Sequence, residues 1–393
     1  MSKDHGVHPV RHSGAVMETA IPAGPEQVTD EWLTAVLRGA GALDGASVTE
    51  HTTDLLELQG AAAVVARIGL VYDGVAPDAP RSLVAKFASP YEPIRALLHT
   101  FGGYAREIAF YRQFGSDPGI PVPHCFHAEI DQASGVFVLL LEDMSNARVA
   151  ADLGPPSVED IELAVRYLAL FHAKWWGSER LRGLEFLRYP GTAADRLFTS
   201  WAPGVLGAAL PAAKQRYGEA LPPIIVAVAE RLMANLEQLA EGRRQRAFDG
   251  SVTLVHGDFH PGQLFFPSER GGRFAVFDWQ TVSAGSGTDD LARVIVTGLP
   301  PEQRRTCDAR LIELYHSLLL EHGVTGYDIE RCREGFRQGL VTTAIMSIIA
   351  SVSIDPARIE EFALIRDMSM TDAMFGWVAD AMEAHNVLDA LSI

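Results

Sequence analysis

The stretch 254-LVHGDFHPGQLFF-266, followed by 273-RFAVFDWQ-280, decides how the rest of this 393-residue chain is read. An apolar run (Val252, Leu254, Val255) delivers His256-Gly257-Asp258 at its end, and a second run (Phe274 to Phe277) delivers Asp278 at its own end. Short apolar runs bounded by turn residues predict two strands, each finishing in a carboxylate. Between them, Pro261-Gly262 forces a loop, and Gln263 follows as an amide five positions after Asp258. Two carboxylates and an amide are therefore expected to converge at one edge.

Phosphoryl transfer asks for such a set: one acid to accept a hydroxyl proton, and a second acid with an amide oxygen to hold Mg²⁺ against phosphates. His-Gly-Asp, a Gln five residues on, and a strand ending in Asp resemble the core of the aminoglycoside phosphotransferase and choline kinase-like superfamily. Asp278-Trp279-Gln280 and Asp290-Leu291-Ala292 resemble its ecdysteroid-kinase-like branch. The resemblance is strongest from about Val64 to Val296. It implies an α+β, bilobal protein-kinase-like fold, with a small N-lobe built on an antiparallel sheet and a larger, mainly helical C-lobe. The activity implied is ATP-dependent phosphorylation of a small-molecule hydroxyl, on an aminoglycoside, sugar, amino alcohol or steroid-like alcohol. Asp258 would be the catalytic base, Gln263 and Asp278 the Mg²⁺ ligands.

Upstream residues suit that reading. Leu83-Val84-Ala85-Lys86-Phe87-Ala88 is an apolar strand with one lysine, and a lysine is costly to bury unless an anion receives it. In the helix predicted next, Tyr104, Ile108, Tyr111 and Phe114 share a face, and Glu107 lies in its middle. The economical expectation is that Lys86 and Glu107 meet, the glutamate turning the lysine toward the nucleotide's phosphates. The alternative is a snorkelling lysine and a glutamate at the edge of the stripe. Residues 59–63 (QGAAA), with Gly60 alone among small residues, join two predicted strands where kinase-like folds cover the phosphates. By resemblance, Glu142-Asp143-Met144 is the hinge, with Glu142 and Met144 reading adenine through backbone groups. The resulting division is a mobile N-terminal tail over 1–27, an N-lobe over 28–144 and a C-lobe over 145–393.

Thr29 looks like an N-cap for a helix carrying Trp32, Leu33, Val36 and Leu37. Ser157 and Asp160 form a capping-box pattern ahead of a helix with Ile161, Val165, Leu168, His172 and Trp175. Asn146 to Pro156 reads as linker, 177–250 as helices broken by Gly and Pro, and the last third as amphipathic helices. His172, on an apolar face, reads as a satisfied core residue. Asp290 is expected to cap a helix starting at Leu291 and to brace the catalytic loop. Trp175, Trp176 and Trp201 are candidates for an apolar acceptor cleft.

Composition narrows the field. A net charge of −17 argues against nucleic acid or an anionic membrane as principal partner. Three scattered cysteines give neither a disulfide framework nor a zinc knuckle, and point to a reducing cytoplasm. Gln338 to Ile354, a long uncharged run, is too short and too rich in Ser and Thr to predict a membrane span. Gly285-Ser286-Gly287 lacks the third glycine of a dinucleotide fingerprint, and no P-loop occurs. Two rivals remain: a metallohydrolase using the H-x-D-x-H cluster of His256, Asp258 and His260, and a catalytically impaired relative, suggested by Gln263 in place of asparagine and the glycine-poor loop.

Overall fold

The computed structural model describes residues 20–56, 62–149, 156–237, 241–242, 244–245, 249–365 and 368–390. The chain divides into two units, 1–111 with 124–143, and 112–123 with 144–393.

In the first unit, five strands form one sheet in the order β1-β2-β3-β5-β4, with every neighbour antiparallel. They are β1 (Val48–Leu55), β2 (Ala63–Tyr72), β3 (Ser82–Ala88), β4 (Cys125–Ile130) and β5 (Phe137–Glu142). Helix α1 (Asp30–Gly39) starts where Thr29 Oγ1 accepts from Trp32 N at 3.2 Å. Its Trp32, Leu33, Val36 and Leu37 join Ile68, Leu83, Ala85, Phe87, Val138 and Leu140 in one buried cluster. Burying each of the larger side chains there contributes about 1.5–3 kcal/mol. Because strand side chains alternate, Leu83, Ala85 and Phe87 turned toward α1 put Lys86 on the opposite face. Within the segment expected as a tail, Pro25–Gln27 make a 3₁₀ turn, and residues 1–19 lie outside the described residues. A helix that the sequence pattern did not announce, α2 (Glu92–Thr100), precedes α3 (Gly103–Phe114), where Glu107 sits.

The second unit is mainly helical. Its α4 (Val158–Trp175) carries the full capping box: Asp160 N donates to Ser157 Oγ at 3.1 Å and Ser157 N to Asp160 Oδ2 at 3.0 Å. Further helices are α5 (Ala193–Tyr217), α6 (Pro223–Ala234), α7 (Gly287–Gly298), α8 (Pro301–Glu321), α9 (Ile329–Ser353) and α10 (Trp377–Ala384). Pro203 and Pro211 lie inside α5 rather than breaking it, with Leu206, Ala209, Leu210 and Ala213 buried around them. Arg148–Val149, expected as linker, forms strand β6. It begins the sheet β6-β8-β9, where β8 is Leu264–Phe266 and β9 is Ala275–Val276. A second small sheet pairs β7 (Thr253–Val255) with β10 (Ser283–Gly285). The two strands read from the key stretch, β7 and β9, thus belong to different sheets. Among the described residues, α9 alone is long and apolar enough to cross a membrane, with mean hydropathy 1.2 over its best window, half of it buried in the protein.

Candidate active site

The expected side chains fall in both units, and each group has its own geometry. In the first, Lys86 Nζ donates to both carboxylate oxygens of Glu107, at 3.0 and 2.7 Å. Glu107 is 1 % exposed and the lysine side chain 12 %. A buried ion pair of this kind is stable only while both partners remain, because either charge left alone is uncompensated. Tyr104, one turn before Glu107, donates its hydroxyl to Ala62 O at 2.8 Å and accepts from Ser89 N at 3.1 Å. It thereby ties α3 to the ends of β2 and β3, and burial pushes its hydroxyl pKa up. Gly60 lies outside the described residues. Glu142, at the end of β5, donates its amide to His124 O at 2.8 Å and accepts from His124 N through its side chain at 3.0 Å.

In the second unit, β7 ends in the His-Gly-Asp loop. Gly257 adopts φ 85°, and a side chain there would meet Thr281 O at 2.6 Å, so sterics and dihedral both demand glycine. Asp290 is fully buried and holds the turn with both oxygens: Oδ2 accepts from His256 N at 2.7 Å and Oδ1 from Gly257 N at 2.9 Å. The expected brace is therefore present, while the cap is not. Helix α7 begins at Gly287, so Asp290 lies inside the first turn rather than before it. Behind Asp290 stands His172, its Nε2 3.5 Å from Asp290 Oδ2 and its Nδ1 2.7 Å from Tyr315 Oη. Burial holds the His172 pKa down against the pull of Asp290; the ring is a core residue as expected, but satisfied only at Nδ1, since Nε2 makes no hydrogen bond among the described residues.

His256 orders the loop from within. Its Nε2 faces Phe277 O at 2.9 Å and its Nδ1 accepts from Asp258 N at 3.3 Å, which assigns the donor proton to Nε2. One ring, through two hydrogen bonds, thus links Asp258's backbone to the residue preceding Asp278. His260 accepts from Gly262 N on Nδ1 at 3.1 Å, and burial lowers its pKa to about 4. With His256 bonded to Phe277, and Asp258 to an arginine, the H-x-D-x-H trio does not converge on a point. Among the described residues no group of three or more His, Cys, Asp or Glu is placed to hold a metal, and the metallohydrolase reading loses its ligand set.

That arginine is Arg293 of α7, whose Nε and Nη2 both reach Asp258 Oδ1, at 2.8 and 2.6 Å. Burial alone would raise Asp258, but Arg293, with His260 and His256, holds its carboxyl down to about 2. Arg293 was not singled out from sequence, although the signal that picked out Lys86 was there. It is an isolated cation in a helix whose Leu291, Ala292, Val294, Ile295 and Val296 are all buried.

Gln263 and Asp278 are in contact, Gln263 Nε2 donating to Asp278 Oδ2 at 3.0 Å, with Gln280 Nε2 3.3 Å from the same oxygen. Asp278 has φ 64° and ψ 63°, a left-handed backbone uncommon outside glycine and tolerated best by Asn and Asp. The Asp278 carboxylate and the Gln263 amide oxygen are both hard ligand types that Mg²⁺ takes alongside phosphates and water, although here the amide turns its nitrogen, not its oxygen, to the carboxylate. Met144 is buried and its carbonyl accepts from Ala147 N at 2.8 Å. Of the three tryptophans, Trp175 is buried with Nε1 donating to Pro118 O at 2.7 Å, and Trp176 packs on Tyr327 at 4.8 Å. Trp201, on α5, is 44 % exposed.

An antiparallel five-stranded unit followed by a larger helical unit, with a His-Gly-Asp loop braced by a buried aspartate, defines a kinase-like phosphotransferase architecture. The chain belongs to the ecdysteroid kinase-like family, whose sequence pattern matches residues 57–324. It is 24 % identical over 248 residues to an uncharacterized kinase-like protein of Caenorhabditis elegans, covering 59 % of this chain and 61 % of that one. The match thus spans about three fifths of that relative's length. Among solved structures, it is similar to a protein of Ralstonia eutropha provisionally described as an aminoglycoside phosphotransferase, with TM-score 0.51, 15 % identity, and 91 % and 98 % of the two chains covered. A choline kinase of Cryptosporidium parvum aligns over 92 % and 94 % at 10 % identity, with TM-score 0.48.

Proposed function

We propose that the protein transfers the γ-phosphoryl group of ATP to a hydroxyl of a small molecule. The observation that carries this reading is the Gln263–Asp278 contact at 3.0 Å, at the end of the loop on which Asp258 stands. Asp258 orients the acceptor hydroxyl and receives its proton. Gln263 and Asp278 are the residues for Mg²⁺, which when bound supplies positive charge against the phosphates. Lys86, steadied by Glu107, serves the phosphates from the first unit. By the resemblance, Gly60 also serves the phosphates, and Glu142 and Met144 flank the backbone that reads adenine. Little covalent chemistry falls to the protein in such a reaction, so positioning and electrostatics carry the rate. The acceptor is drawn from aminoglycosides, sugars, amino alcohols and steroid-like alcohols, with no nucleic acid or membrane partner. Three cysteines scattered along the chain suit a reducing cytoplasm.

Calorimetry with ATP, with and without Mg²⁺, tests this directly. Binding that tightens with Mg²⁺, accompanied by slow ATP hydrolysis with water as acceptor, is expected. No heat in either titration would overturn the reading, and Mg²⁺-dependent binding without any turnover would put an impaired relative in its place.

A further inference from the structure

Arg293 approaches Asp258 in a way an ordinary ion pair does not require. A guanidinium usually meets a carboxylate fork to fork, one nitrogen per oxygen. Here Nε and Nη2 both converge on Oδ1, at 2.8 and 2.6 Å. Oδ2 takes no hydrogen bond among the described residues; His260 Nε2 stands 3.6 Å from it. The Asp258 side chain remains 24 % exposed, so the carboxylate is clamped on one oxygen and accessible overall. The torsion that would exchange the two oxygens of an aspartate is broad and roughly two-fold, and without a clamp either oxygen could face an incoming hydroxyl.

We propose that Arg293 is a positioning residue for the acceptor-activating carboxylate: it pins Asp258 Oδ1 and leaves Oδ2 as the single oxygen that receives the acceptor's proton. This rests on the phosphotransferase reading. In the step, the acceptor oxygen bonds to the γ-phosphorus of ATP, the bond from that phosphorus to the β–γ bridging oxygen breaks, ADP leaves, and the hydroxyl proton passes to Oδ2. The proton then goes to solvent when the product departs. A carboxylate held so acidic is a weak base, but a loose transition state builds little charge on the attacking oxygen until late, so orientation matters more than basicity. The groups acting on Asp258 are Arg293 from α7 and His256 and His260 from its own loop. His256 has its proton fixed toward Phe277 O, and His260 faces Oδ2 from beyond hydrogen-bond reach. Arg293 is therefore the only one of the three that bonds the carboxylate itself.

The test compares full-length wild type, Arg293→Met, which keeps most of the stem and removes every donor, and Arg293→Lys, which keeps the charge with a single ammonium. Loss of the clamp is expected to lower kcat about 10²-fold in Arg293→Met while KM for ATP stays within about twofold, since misplacing a reacting group acts on turnover rather than nucleotide binding. Arg293→Lys is expected to recover part of kcat, as a point charge restores attraction without fixing the oxygen. A readout independent of turnover is ¹³C NMR titration of the Asp258 carboxyl, assigned by its loss in Asp258→Asn. It should titrate near pH 2 in wild type and distinctly higher in Arg293→Met. An Arg293→Met protein that is folded, equally active and unchanged in that titration overturns the clamp. If instead the wild type neither binds nor hydrolyses Mg-ATP, the phosphotransferase reading falls, and with it the proton-accepting role of Oδ2.

Discussion

Lys86 Nζ lies within hydrogen-bond distance of both oxygens of Glu107, at 3.0 and 2.7 Å, with the glutamate buried to 1 % exposure. Removing one partner strands the other as a buried charge, which costs about 3–5 kcal/mol, whereas removing both strands neither. Lys86→Met and Glu107→Gln are each expected to lower stability and ATP affinity, and the double variant to lose far less than the sum. Denaturant melts and nucleotide titrations on all four proteins check this. Additive effects would show that the two side chains act independently.

The two aspartates of the key stretch should separate by role. Asp258→Asn is expected to keep Mg-ATP affinity while turnover falls by about 10²-fold or more, because in the proposed reaction it meets the acceptor and not the nucleotide. Asp278→Asn is expected to weaken the Mg²⁺ dependence of nucleotide binding as well as turnover. Isothermal titration with basal ATP hydrolysis distinguishes the two, and the opposite pattern would reverse the assignment.

Asp290 contributes no surface to a ligand, yet both its oxygens are committed to the amides of His256 and Gly257. Asp290→Asn would turn an N–H donor toward one of those amides, leaving it unsatisfied at a cost of about 1–3 kcal/mol. The expected result is a lower melting temperature together with reduced kcat at unchanged KM for ATP. A full drop in stability with normal kcat would confine Asp290 to folding.

A methyl group at Gly287 would sit 2.4 Å from Tyr315 Oη and 2.6 Å from His172 Nδ1. Both neighbours are fully buried. Gly287→Ala is expected to destabilise by about 1–3 kcal/mol through overpacking, measurable by urea unfolding.

Acid should reveal the clamp on Asp258 in stability too. Its folded pKa, about 2, lies below the ordinary carboxylate value of 3.8, so its contribution is present above pH 4 and is lost as pH falls toward 2. The stability gap between wild type and Asp258→Asn should therefore narrow on going from pH 7 to pH 3, as followed by urea unfolding at each pH. A gap that is constant over that range would mean that Arg293 does not depress the carboxyl.

Long-period features were legible in the sequence and short or long-range ones were not. Lys86 and Glu107 stood out because each interrupts an apolar pattern several residues long, and the Ser157–Asp160 box because capping is local. Strands β6, β8 and β10 span only two or three residues with partners far off in the chain; β7 and β9 are as short and were legible only because each apolar run leads into a carboxylate. Arg293 escaped for a related reason. A cation on an amphipathic helix reads as solvated until the residue it meets, 35 positions earlier, is brought beside it. Asp290 was read correctly as a brace but placed before its helix, because nothing in Gly285-Ser286-Gly287 announces a start, and Ser286 makes no side-chain cap there.

The short ribbon β6-β8-β9 couples distant parts of the second unit mechanically. Its outer strand, Arg148–Val149, begins four residues after Met144 and pairs with Phe265–Phe266. Gln263 precedes the middle strand, and Asp278 follows the third by two residues, its neighbour Phe277 donating to Gln263 O at 3.1 Å. Ser268 Oγ adds a second stitch, donating to Asn146 O at 2.6 Å. Tension on residues 144–149 therefore reaches the amide and the carboxylate together, as though all three were threads of one hem. A substitution in that segment, remote in sequence from either residue, is expected to shift the Gln263–Asp278 contact, and on the proposed function would be read as an altered Mg²⁺ dependence of ATP binding.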